Sequence, residues 1–165
     1  MERKRRRRER AFRAIPEVEE WKEQYHEDRR RYKFLILDGP SCTGKSRYAA
    51  ALASDATRFL NVDCSLSTEP DLRNFRRGLH NVVCWEGATP EMVLRVRKLA
   101  QASVDEVVLG QCCTSMSSYK LWFHRIKLVI CSNEWGRLSE QLRSEDKEWF
   151  RLNSIYVRVD SPLYE

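Results

Sequence analysis

The residues best suited to chemistry lie in one run, Gly39, Pro40, Ser41, Cys42, Thr43, Gly44, Lys45 and Ser46, with the spacing G-x-x-x-x-G-K-[ST]. Glycines at 39 and 44 give access to backbone angles closed to other residues, so successive N–H groups can turn inward around phosphate oxygens. Lys45 is then placed to reach the β- and γ-phosphates of a nucleotide, and the Ser46 hydroxyl to take a Mg²⁺ position. All eight residues are candidate nucleotide contacts.

Such a loop must be held between a strand and a helix, and the sequence supplies both. Phe34-Leu-Ile-Leu-Asp38 is a short apolar run of buried-strand type. Arg47-Tyr-Ala-Ala-Ala-Leu-Ala53 is rich in helix formers, and predicts a helix over about 45–54 whose N-terminus faces the phosphates.

Two further elements would complete the chemistry. The first is an apolar strand ending in an acid that steadies Mg²⁺, followed by a Glu that orients the attacking water. Val82-Val-Cys-Trp-Glu86 fits the first part and nominates Glu86 as a metal and catalytic residue; Gly87 stands where the second acid is expected. Asp105 and Glu106 are a rival pair, though no apolar run precedes them. The second element is a polar residue on a neighbouring strand that senses the γ-phosphate. Asn133, closing Ile126-Lys-Leu-Val-Ile-Cys131-Ser-Asn133, is the candidate, with a turn-forming Asn as the alternative.

The remaining elements alternate. Residues 17–31 read as a helix behind Pro16, with acids early, arginines late, and Trp21 and Tyr25 four apart to pin it. Strands are expected at 58–63, 80–86, 126–131 and 154–159, and helices at 69–77, 89–100 and 138–150. Shorter strands are read at 104–109 and 119–123 around a polar turn. Strands alternating with helices imply an α/β fold, a mainly parallel sheet with helices on both faces. The chain divides into a basic arm and leading helix (1–31), the main domain (32–160) and a tail (161–165).

Composition limits the function classes. A net charge of +6 spread over 165 residues conceals a sharp asymmetry. Residues 1–13 hold eight Arg/Lys against Glu2 and Glu9, so the arm carries the whole excess and the rest is neutral. Such an arm reads as a nuclear-targeting or nucleic-acid-contacting segment, or as a solvated helix end without a partner. No apolar run approaches the ~18 residues needed to cross a membrane, and no signal peptide opens the chain, so an intracellular protein without a membrane partner is expected. The six cysteines show no C-x-x-C pair and read as reduced, mostly buried side chains. Cys42, in the loop, is the exception and the one expected to be oxidisable.

The loop at 39–46, the acid strand at Glu86 and Lys127-Leu-Val-Ile-Cys-Ser-Asn-Glu-Trp135 together resemble the superfamily 3 helicase domain of Rep proteins. These are the replication initiators of circular single-stranded DNA viruses, with endogenous relatives in eukaryotic genomes. The similarity spans roughly residues 32–160. It implies a P-loop NTPase core of AAA+-like type, ATP and Mg²⁺ as cofactors, a homo-oligomeric ring, and translocation on single-stranded DNA in preference to RNA. It also implies DNA contacts from a basic hairpin before the sensor strand. Here that region is 110–125, with Lys120, His124 and Arg125 as the matching cations. Arg143 and Arg151 are candidate arginine fingers, or simply surface arginines. The chain departs from the family in two ways. Its three histidines, His26, His80 and His124, cannot form the His-hydrophobic-His pair of a nickase domain. Gly87 offers no carboxylate to activate water, so hydrolysis is expected to be impaired. A nucleotide-binding module that hydrolyses poorly is the second reading, and a small P-loop kinase a third, disfavoured for want of a lid-like arginine cluster.

Overall fold

The computed structural model describes residues 11–110 and 118–164. The arm's residues 1–10, the turn that carries Cys112 and Cys113, and Glu165 lie outside them. The described residues form seven strands and six α-helices, strands and helices alternating except that β3 follows β2 directly and β4, β5 and β6 run in succession: α1 (Pro16–Glu23), β1 (Phe34–Asp38), α2 (Lys45–Ala51), β2 (Phe59–Asp63), β3 (Val82–Glu86), α3 (Pro90–Arg95), α4 (Arg97–Ala100), β4 (Val107–Leu109), β5 (Tyr119–Leu121), β6 (Lys127–Ser132), α5 (Trp135–Ser139), α6 (Ser144–Asn153) and β7 (Ser154–Arg158). Five strands form one parallel sheet in the order β2-β3-β6-β1-β7; β4 and β5 pair antiparallel as a separate hairpin.

Each central strand divides its apolar side chains between two faces, as the period of two requires. Phe34, Ile36, Val83, Trp85, Leu128 and Ile130 point to the face covered by α3 to α6 and the hairpin. Leu35, Leu37, Val82, Cys84, Val129 and Cys131 point to the face covered by α1, α2 and Leu163. Both faces are thus buried, and the central strands read as continuous apolar runs because no side of them meets water.

Several helices differ from expectation, each for a local reason. The leading helix stops at Glu23 and tightens into a 3₁₀ turn over Gln24–His26, short of residue 31. There the Gln24 amide clamps the Lys33 backbone at both ends, donating to its carbonyl (2.7 Å) and accepting from its N–H (2.8 Å). Trp21 Nε1 donates to the same carbonyl (2.7 Å), and the Tyr25 ring stacks on Tyr32. Residues 69–77 form turns instead of a helix, because side chains take the backbone donors: Asp71 accepts from Arg73 N, Tyr119 Oη from Leu72 N, and His80 Nδ1 from Arg76 N. The helix expected at 89–100 breaks at Val96, where the chain leaves helical angles (φ −126°, ψ 44°). Residues 138–150 span the end of α5 and most of α6, separated by extended backbone at Arg143. Strand β4 begins only at Val107, since Ser103 and Asp105 close a turn before it.

Candidate functional site

The carboxyl ends of β1, β3 and β6 open into a cleft of about 700 Å³. In open α/β sheets this edge is where ligands bind. The loop 39–46 forms its floor, and its glycines act differently from the expectation. Gly44 does adopt a left-handed φ of +86°. Gly39 does not; it is needed for space, since a Cβ there would lie 1.8 Å from the carbonyl oxygen of Val159, the residue after β7. Cys42 also takes a positive φ, 64°, in the middle of the loop. It is exposed, whereas Cys64, Cys84 and Cys131 are buried.

Lys45 is the first residue of α2 and is buried beneath the loop. Its ammonium donates to the carbonyls of Gly39 (2.8 Å) and Pro40 (2.7 Å), and to Asn133 Oδ1 (3.1 Å), the residue just past the carboxyl end of β6. Burial lowers its pKa from the ordinary lysine value, opposed by the nearby Cys131 side chain and the Asp38 and Glu86 carboxyl groups. Ser46 follows on α2 and donates to Glu86 Oε1 at 2.6 Å. The second carboxylate oxygen of Glu86 accepts from Asn61 Nδ2 at 2.9 Å. Lys45, Ser46, Glu86 and Asn133, separated in sequence by up to 88 residues, are therefore joined pairwise in one cleft.

The rival acids stand elsewhere. Asp105 bonds Ser103 and faces Lys98 (3.5 Å), while Glu106 faces Lys120 (3.9 Å). Neither lines the cleft. Arg143 and Arg151 are also remote from it, engaged with Asp146 and Glu148 respectively. His124 and Arg125 lie at the opposite end of the sheet and are tied to backbone carbonyls of Arg29 and Tyr25.

Sequence reasoning passed over four residues that shape the site. Asn61 and Asp63 alternate along β2, and Asp63 is in register with Glu86, so both reach the cleft wall. Two hydrogen bonds from Ser65 hold the Asp63 carboxyl below the usual range. The alternating Asn-Val-Asp at a strand end was the available signal. Asp38, fully buried, accepts from Trp135 N (3.0 Å), Gly136 N (2.9 Å) and Tyr156 Oη (2.6 Å), so it fixes the start of α5 just beyond Asn133. Tyr164, in the segment expected to be a tail, lines the cleft beside Gly44, and Leu163 N donates to Thr43 O (2.9 Å). The segment 161–164 is thus part of the site. No signal short of the fold shows that.

Compared with known proteins, the chain matches no protein-family model and no curated sequence.

Proposed function

We propose that the chain is a P-loop NTPase domain of AAA+-like, superfamily 3 type that binds Mg-ATP in this cleft and acts on single-stranded nucleic acid, DNA in preference to RNA, as part of a homo-oligomeric ring. The observation that carries the reading is the convergence of Lys45, Ser46, Glu86 and Asn133 at the carboxyl ends of three adjacent parallel strands. Lys45 would exchange its loop carbonyls for phosphate oxygens, a stronger partner for a buried ammonium. Asn133, already on the same ammonium, would then sense the terminal phosphate.

Ser46 and Glu86 fit Mg²⁺. Their oxygens are hard donors already within hydrogen-bond distance, and one or two protein oxygens suffice for an ion that keeps several waters. When bound, Mg²⁺ neutralises charge developing on the β- and γ-oxygens.

A second reading has its own observation. Gly87 follows Glu86 with a left-handed φ of +75° and its N–H on Cys131 O, leaving no carboxylate at that place to position water. A nucleotide-binding module that hydrolyses poorly then results. Calorimetric titration with Mg-ATP tests the common premise. Lys45→Ala is expected to weaken binding at least tenfold, given ~1.5–3 kcal/mol for each charge-assisted contact. Unchanged affinity would remove the nucleotide assignment. Turnover with and without single-stranded DNA separates the two readings: stimulation favours the motor, a flat low rate the module.

A further inference from the structure

A second groove, of about 460 Å³, lies at the opposite end of the sheet. The chain ahead of β1, the turns ahead of β3 and the segment ahead of β6 meet there, at the amino ends of the parallel strands. Four of its eight lining residues are arginines, Arg29, Arg30, Arg77 and Arg125, and one, Asp28, is acidic. Among the described residues, Arg30, Arg77 and Arg125 form no ion pair; Arg29 pairs with Glu27 at 2.8 Å. The positive charge of the groove is thus largely uncompensated, in a region where the neutral remainder of the chain gives no compositional reason for it.

An aromatic face accompanies the charge. Trp122 is 45% exposed and lines the groove. Its ring lies under the Arg77 guanidinium at 4.2 Å and close to parallel with the His124 ring, 5.9 Å away. Each member is fixed by backbone: Trp122 Nε1 donates to Val104 O (3.0 Å), His124 Nε2 contacts Arg29 O (2.8 Å), and Arg125 donates to Tyr25 O (2.7 Å). The Trp122 and His124 rings and the Arg77 and Arg125 guanidinium groups, Arg77 through the His124 carbonyl, are therefore preorganised, so little conformational entropy is lost when a ligand engages them.

We propose that this groove seats a short segment of single-stranded nucleic acid, its phosphates on Arg30, Arg77 and Arg125 and a base against Trp122. Alternating point charges and flat ring faces match the alternation of phosphate and base along a single strand. A duplex hides its base faces and is too wide for a groove of this size. The proposal takes up the nucleic-acid partner of the reading above but uses none of the cleft residues. Strands of five or six residues at ~3.3 Å each separate the two sites by roughly 17–20 Å, so nucleotide and strand can be bound together.

Anisotropy titrations of a dye-labelled oligothymidylate with the full-length protein, over a salt series, test it. The basic arm contributes equally to every variant. Arg30→Gln combined with Arg77→Gln is expected to reduce the slope of log K against log salt by about 1.4, at ~0.7 per phosphate. Trp122→Leu should weaken binding roughly tenfold at all salts without changing the slope, and Trp122→Phe should restore most of it. Arg95→Gln, on the exposed side of α3, is the control and should change nothing. Wild-type slope and affinity in the double variant would overturn the proposal, as would a loss of duplex affinity in Trp122→Leu as large as the loss of single-strand affinity. Mg-ATP titrations of the same samples should be unaffected. If ATP fails to bind even the wild type, the cleft reading falls while the groove result stands.

Discussion

Asp38 shows how much a single strand-end residue can organise. It is fully buried, and Tyr156 Oη, two backbone N–H groups from the start of α5 and, at 3.5 Å, Arg158 surround its carboxylate. Burial, and then the bond to Asp38, push the Tyr156 phenol up to about 12. Asp38→Ala leaves the two N–H groups without an acceptor and should cost about 3–5 kcal/mol in urea denaturation; a loss below ~1 kcal/mol would mean that water replaces the carboxylate at no penalty. In the sequence, Asp38 is only the polar end of an apolar run, because its partners lie about 100 residues away. Gly87 carries the opposite lesson. From sequence alone, restoring a carboxylate by Gly87→Glu would promise faster hydrolysis. The structure argues against it: φ is +75°, and an added Cβ would sit 3.1 Å from Ser65 Cβ. A non-glycine residue in that conformation costs about 1–2 kcal/mol. The substitution is expected to lower the melting temperature without raising ATP turnover, and a stable, faster variant would reverse this view.

Among elements, the strands were more legible than the helices. β1 coincides with its expected span, and β3 and β6 match to within two residues, because buried parallel strands advertise themselves as short apolar runs. The helices are short and interrupted by side-chain-to-backbone bonds that periodicity does not register, as at Gln24 and Asp71. The terminal segment was least legible of all. Leu163 is fully buried on the α2 face, and its N–H holds Thr43 of the loop. Leu163→Ala should therefore cost about 2–5 kcal/mol through the cavity it leaves. If nucleotide binds as proposed, its affinity should fall as well, since the loop loses a packed neighbour. A melting curve and an ATP titration on one sample measure both, and a stable variant would show that the segment merely lies on the surface.

At the scale of the molecule, two expectations concern charge. Burial pushes the Cys64 thiol up to about 12, above the unfolded thiol. Its neutral form therefore favours the fold: the contribution is complete below about pH 8.5 and is lost as pH rises towards 12, at about 1.4 kcal/mol per pH unit. Burial of Tyr48, likewise pushed up to about 12, adds to the decline above pH 10. Urea midpoints measured between pH 8 and 11 should fall, and Cys64→Ala should flatten the first part of the curve; a constant midpoint would contradict it. The second expectation concerns the arm. Arg13 bonds Leu163 O and Ser161 O and belongs to the fold, so a clean truncation removes residues 1–10 only. If the seven cations in those residues engage a single strand, the salt slope should flatten by up to about 5 while ATP affinity holds. Equal slopes before and after truncation would leave the arm to targeting.

The same contacts give the domain a mechanical character. Phe12 and Tyr164 form an antiparallel bridge with stacked rings, and the next bond inward ties Leu163 to Thr43. Tension applied through residues 12 and 164 opens this bridge as a zipper, one bond at a time. The load then passes to the 39–46 loop before any strand of the sheet is sheared. Pulling on the two ends should distort the cleft at low force while the five-stranded sheet stays whole.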